Sequence, residues 1–161
     1  MMFRDSLDLH IRARYPLLYI PTAEEQRVEE EIVAVARREQ PPRQVHVWDA
    51  ARGYDGTQAA PGLPLPALEE VENSPPDEPA LFILRDFHVY LSDPQVARKL
   101  RNLARRLRGE RKTIILVSPV LKVPDTLAEE ITVLDFPLPT AAEIGQTLEM
   151  VCSVSIKPNS R

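Results

Sequence analysis

Five short apolar runs punctuate the chain, and amphipathic stretches separate most of them. The runs are Leu17–Ile20, Val45–Trp48, Leu81–Leu84, Thr113–Val117 and Ile131–Leu134. Each has four or five residues rich in β-branched, Leu or aromatic types, and most show little alternation. That pattern predicts strands covered on both faces. After the first run, Val28, Ile32, Val35 and Ala36 fall on one helical face. Thr22 followed by Glu25 predicts a capping box there, and Arg37 and Arg38 suit the far end of the helix dipole. A second helix is predicted from Ser92 or Asp93, with Pro94 in its first turn. Its stripe is Val96, Leu100, Leu103 and Leu107, and Gly109 stops it. A third begins at Thr140 with Glu143 as a second capping box, then Ile144, Leu148 and Val151. Leu7 and Ile11 mark a short leading helix that ends at Tyr15–Pro16.

Strand and helix in alternation predict an α/β fold: a three-layer, parallel, five-stranded sheet with right-handed crossovers. Residues 51–79 interrupt it with three glycines and six prolines, which predicts a long surface loop holding one short helix near Ala67–Glu72. The expected organisation is one α/β domain over 1–139, then the opening of a further helix and a polar, frayed tail over 140–161.

Composition narrows the function classes. At 161 residues, 43% hydrophobic and 27% charged, the chain can bury one core but not two. Its one cysteine, Cys152, cannot form an internal disulfide. No run approaches the ~18 apolar residues of a membrane span, and the Met1–Asp5 start has no apolar stretch behind it. A cytoplasmic location without a membrane partner is expected. The net charge of −4 conceals a segregation. Between Asp93 and Lys112 stand eight bases and two acids, so this segment carries +6 and the remainder −10. The plain reading is a solvated helix face. The functional reading is a docking surface carried by Arg98, Arg101, Arg105 and Arg108, facing an acidic protein, the glutamates of the first long helix in another copy, or RNA. No aromatic residues interleave these bases, which places nucleic acid last.

In an open α/β sheet, ligands bind beyond the carboxyl ends of the strands. The candidates are therefore Thr22, Asp49, Asp86, Ser118 and Asp135. Leu81–Asp86 is an apolar strand closing on an acid, the kind that holds the hydration shell of Mg²⁺ in a nucleotidase; the bland alternative is a turn cap. A phosphate loop is missing. Ile20-Pro21-Thr22-Ala23-Glu24-Glu25-Gln26 has no glycine and no lysine, and no Gly-Lys pair occurs anywhere. Glu24 and Glu25 oppose the anion binding that a helix start otherwise favours. His10, His46, His88 and Cys152 lack metal-ligand spacing, and Trp48 reads as core.

The strings Ile11–Ile20, Trp48-Asp49 with Arg52-Gly53, Leu81–His88, Ser118-Pro119 and Ile131–Pro139 occur in order. They resemble the N-terminal region of the AAA-type ATPase family encoded as a hypothetical reading frame in algal plastids, with relatives in cyanobacteria. The resemblance covers most of residues 7–150. It implies a parent about three times as long, whose C-terminal AAA module binds ATP and Mg²⁺ and hydrolyses ATP. It also implies that this region is a decayed AAA fold with strand order 5-1-4-3-2. On that reading Thr22 lies in the former phosphate loop, Asp86 matches the Mg²⁺-site aspartate, Phe87 replaces the water-activating glutamate and Ser118 stands at the first sensor position. The arginine that reaches a neighbour's nucleotide is absent between Ser118 and Pro137, and the lid beginning at Pro137–Thr140 is absent or incomplete. A role in photosynthesis or inorganic-carbon regulation is a family expectation.

Three functions follow as expectations. The first is a non-catalytic assembly or recognition domain that needs no cofactor of its own and partners either itself or the family's C-terminal module. The second is an unconventional nucleotide site at Asp86 and Ser118. The third is a binding module built on the basic helix. A flavodoxin-like strand order, 2-1-3-4-5, remains open beside the AAA order.

Overall fold

The computed structural model describes residues 2–57 and 59–137. Helix α1 (Phe3–Arg12) leads into β1 (Leu17–Pro21), α2 (Glu25–Arg38) and β2 (Gln44–Asp49). A two-residue strand, β3 (Gly53–Tyr54), precedes α3 (Pro64–Asn73), β4 (Ala80–Arg85), α4 (Pro94–Leu107), β5 (Lys112–Ser118) and β6 (Ile131–Val133). Short 3₁₀ turns cover Phe87–Tyr90 and Asp125–Leu127.

The sheet runs β3-β2-β4-β5-β1-β6. Every pair is parallel except β2–β3. Numbered by chain order, the five predicted strands lie 5-1-4-3-2, and the flavodoxin-like alternative is excluded. The expected count of five is corrected to six. β3 arises where Gly53, at φ +72°, turns the chain back so that Trp48 pairs with Tyr54. A Cβ at Gly53 would stand 2.7 Å from the Ala59 nitrogen and closer still to its carbonyl, so only glycine fits.

Alternation sorts the strand side chains between two cores. Leu17, Tyr19, Phe82, Leu84, Ile114 and Leu116 meet α3 and α4. Leu18, Ile20, Leu81, Ile83, Ile115 and Val117 meet α1 and α2. β1, β4 and β5 are thus covered on both faces, as predicted. β2 is not: Val45, His46 and Val47 stay partly exposed because only the short β3 lies beyond them.

Three local expectations change. Thr22 does not cap α2 through a box, because the helix starts at Glu25 and the Thr22 oxygen accepts from the Glu24 N–H at 3.0 Å. The helix expected over 67–72 begins earlier, at Pro64, where a missing N–H costs nothing. Helix α4 ends at Leu107 without a left-handed Gly109. Its start is as predicted: Asp93 accepts from Gln95 N at 2.8 Å and Val96 N at 3.4 Å. The predicted helix from Thr140, Cys152 and the tail lie outside the described residues.

Candidate functional site

Thr22, Asp86 and Ser118 come together at one edge of the sheet, the carboxyl ends of neighbouring strands. The Thr22 N–H donates to Ser118 O at 2.8 Å, and the Asp86 N–H donates to Val117 O at 2.9 Å. Their side chains do not converge. Ser118 is buried, and its Oγ lies 2.7 Å from both the Tyr19 hydroxyl and Val120 O. The Tyr19 hydroxyl donates to Val120 O at 2.5 Å and accepts the Lys122 N–H at 3.2 Å. Ser118 therefore shapes the turn after β5. Asp86 is exposed at φ 54°, ψ 28°, a left-handed conformation that takes it out of the strand. Asp49 Oδ1 accepts from Ala51 N (2.9 Å) and Arg52 N (2.8 Å), the turn-capping role. Asp135 is exposed beyond β6.

Arg85, absent from the sequence-based candidates, organises this edge. Strand parity places it with Leu81 and Ile83 on the α2 side, one residue before Asp86. Its Nε and Nη2 donate to the two Glu29 carboxylate oxygens at 2.7 and 2.6 Å, a bidentate fork. Its Nη1 donates to Asp49 Oδ2 at 3.3 Å, and Glu25 lies 3.5 Å from Nε. Glu29 hydrogen bonds, ahead of the opposing burial, raise the guanidinium's pKa further, so it stays charged. Burial pushes the Glu25 carboxyl up; Glu29, Asp86 and Asp49 add to that, while Arg85 opposes it. A signal was available: Glu25 and Glu29 are four apart on a helix, facing a strand position of the right parity.

These residues do not fit a triphosphate with Mg²⁺. Of the cations beside the start of α2, Arg85 is held by Glu29 and Asp49, and Arg27 is held by Glu24 and Pro137 O. The turn from β1 into α2 offers carboxylates where a phosphate needs donors. Among the described residues, no group of three or more His, Cys, Asp or Glu is placed to hold a metal.

The basic helix is partly neutralised within the chain. Lys99 pairs with Glu72 at 2.8 Å, Arg106 with Glu110 at 2.7 Å and Arg101 with Glu130 at 3.6 Å. Lys112, fully buried, is held by Glu110 at 2.9 Å and Ser74 O at 3.1 Å. Arg98, Arg105 and Arg108 are exposed and have no ion-pair partner among the described residues. Most acids of α2 are also matched at home: Glu24 by Arg27, Glu29 by Arg85 and Glu31 by Arg4. Contact between the basic helix of one copy and α2 of another thus loses most of its charge complement.

The chain leaves the sheet under restraint. Leu134 N donates to Tyr19 O at 2.9 Å. Phe136 packs edge-on against Phe3 at 4.7 Å, and the Arg27 guanidinium stacks over Phe136 at 4.0 Å while donating to Pro137 O at 2.6 Å. Among the described residues no helix is long and apolar enough to cross a membrane.

Comparison with known proteins agrees with this fold. The profile of the family described as "SpoVK-like AAA ATPase, N-terminal domain" matches residues 3–136. An uncharacterized AAA domain-containing protein, ycf46, of Guillardia theta is 41% identical over 152 residues, covering 92% of this chain and 30% of that protein. Its counterpart in Pyropia yezoensis is 38% identical, covering 92% and 31%. The chain thus spans under a third of these relatives. Among solved structures, Saccharomyces cerevisiae RIF2 superposes with a TM-score of 0.52 at 13% identity, over 92% of this chain and 59% of that one. The likeness to RIF2 is one of fold.

Proposed function

Because the chain belongs to the family of SpoVK-like AAA ATPase N-terminal domains, we propose that it is a non-catalytic AAA-like domain serving assembly or partner recognition in an AAA-type ATPase. The observation that carries this reading is the Arg85–Glu29–Asp49 closure at the start of α2. An arginine locked by two carboxylates replaces the donors that would meet phosphate. Positioning and charge stabilisation are the main sources of phosphoryl-transfer rate, and this edge offers neither. ATP and Mg²⁺ then belong to a C-terminal module of the same protein, as the greater length of the relatives supports. The test is turnover of Mg-ATP by this chain beside its Asp86→Ala variant. Both should match the protein-free rate. Turnover that Asp86→Ala abolishes would overturn the proposal.

The exposed, unpaired Arg98, Arg105 and Arg108 favour a second reading, a docking face for an acidic protein. Binding through them weakens steeply with salt. Arg98→Glu with Arg105→Glu should abolish it, and undiminished binding by that double variant would end the idea.

A further inference from the structure

Three large aliphatic side chains stand out into solvent at the carboxyl edge of the sheet. Val89 is 61% exposed, Leu121 55% and Val120 44%. Val89 and Leu121 line one open hollow of about 480 Å³, and Lys122 is the only permanent charge among its lining residues. A single exposed aliphatic is ordinary, but three grouped beside a hollow mark a contact surface.

The backbone holds them there. The hydroxyl of Tyr19, a fully buried residue, donates to Val120 O at 2.5 Å and accepts the Lys122 N–H at 3.2 Å. Ser118 Oγ also lies 2.7 Å from Val120 O. The turn over 118–122 is thus pinned from beneath and is not free to fold Val120 and Leu121 back onto the core. On the neighbouring loop, Asp86 at φ 54° takes the chain out of β4, after which Phe87 is buried and Val89 faces solvent. Two separate devices present one apolar surface, so little ordering is left for a partner to impose.

Size and charge select the occupant. Three side chains of this kind expose a few hundred Å² together. A stable contact between free proteins buries about 800 Å² on each side. The patch is too small to hold a free partner or a second copy by itself. A partner in the same polypeptide needs far less, because a tether sets its effective concentration on the order of millimolar. The relatives supply such a partner: this chain covers only 30% of the Guillardia theta protein and 31% of its Pyropia yezoensis counterpart. We propose that Val89, Val120 and Leu121 are the docking patch for an uncharged, apolar surface of the C-terminal AAA module in the same polypeptide. This names the partner within the functional reading above and rests on that reading. The contact uses none of the α4 arginines.

The test sets this chain in place of the matching N-terminal region of the Guillardia theta protein and compares its amide exchange with that of the free 161-residue chain. Over 87–91 and 119–122, exchange should slow at least about tenfold in the joined protein, and high salt should not reverse it. Val89→Asp with Leu121→Asp should return both segments to free-chain rates. Both positions are exposed, so the cores stay intact, and unchanged exchange over Leu81–Leu84 reports that they do. Tyr19→Phe loosens the turn without altering the patch, and it should give up part of the protection relative to its own free chain. Equal rates in the joined and free proteins would overturn the proposal. So would protection that salt, or Arg98→Glu with Arg105→Glu, removes. Protection that the free chain gains on concentration would also overturn it, by making a second copy the occupant. The two failures are separate: Mg-ATP turnover by the free chain strikes the functional reading, whereas absent protection strikes the docking alone.

Discussion

Arg85 is the residue on which the candidate site turns. Replacing it with Met leaves Glu25, Glu29 and Asp49 facing one another without a cation. We expect Arg85→Met to lose about 1–3 kcal/mol, read by denaturant unfolding. Adding Glu29→Met should recover part of that loss, because two uncharged groups are then packed together. Tyr19→Phe removes a hydroxyl that ties down Ser118, Val120 and Lys122. It should cost about 1–2 kcal/mol and speed amide exchange across 118–122. Glu110 provides the pH test. Burial opposes its ionisation, but hydrogen bonds from Lys112 and Arg106 prevail and hold its carboxyl below the usual range. A depressed folded pKa means stability that is present above about pH 4.5 and is lost as pH falls through the folded value. Glu110→Gln should therefore destabilise the protein at pH 7 and flatten the acid limb of a stability-versus-pH curve. The chemistry of this edge was only half legible in the residues. Asp86, Thr22 and Ser118 stand at the predicted strand ends, yet a strand end does not say where a side chain points. The parity that carries Leu81 and Ile83 to α2 carries Arg85 there too, and attention to the terminal acid passes over it.

The elements were legible wherever burial is two-sided. β1, β4 and β5 are apolar throughout because helices cover both faces, and α4 has a four-residue stripe with an aspartate cap. Asp93→Ala should cost about 1 kcal/mol and fray the first turn of α4, visible as faster exchange at Gln95 and Val96. β3 was not legible, since two residues leave no period to read. What makes it a strand is the turn at Gly53 and the Trp48–Tyr54 pairing, both tertiary. Gly53→Ala should lower the melting temperature by several degrees, as about 1–3 kcal/mol of backbone strain. α2 shows the opposite failure. Its stripe predicted the helix, but the Thr22 cap did not form, because the Thr22 N–H is committed to β5 and the helix begins later.

At the scale of the whole molecule, the 5-1-4-3-2 order came from the family resemblance, because apolar runs alone also allowed the flavodoxin-like arrangement. The charge segregation was legible, but its consequence was not: most of the acids on α2 and several bases on α4 are satisfied inside the chain, so sequence charge overstates what the surface offers. The AAA-like fold is kept here, and on the proposed reading the internal Arg85–Glu29–Asp49 cluster stands where donors would have to meet phosphate. The most direct measurement is a calorimetric titration of the 161-residue chain with Mg-ATP and with Mg-ADP at low salt. The account predicts no saturable heat up to millimolar nucleotide, for the chain and for Asp86→Ala alike. Micromolar affinity that disappears in Asp86→Ala would contradict it.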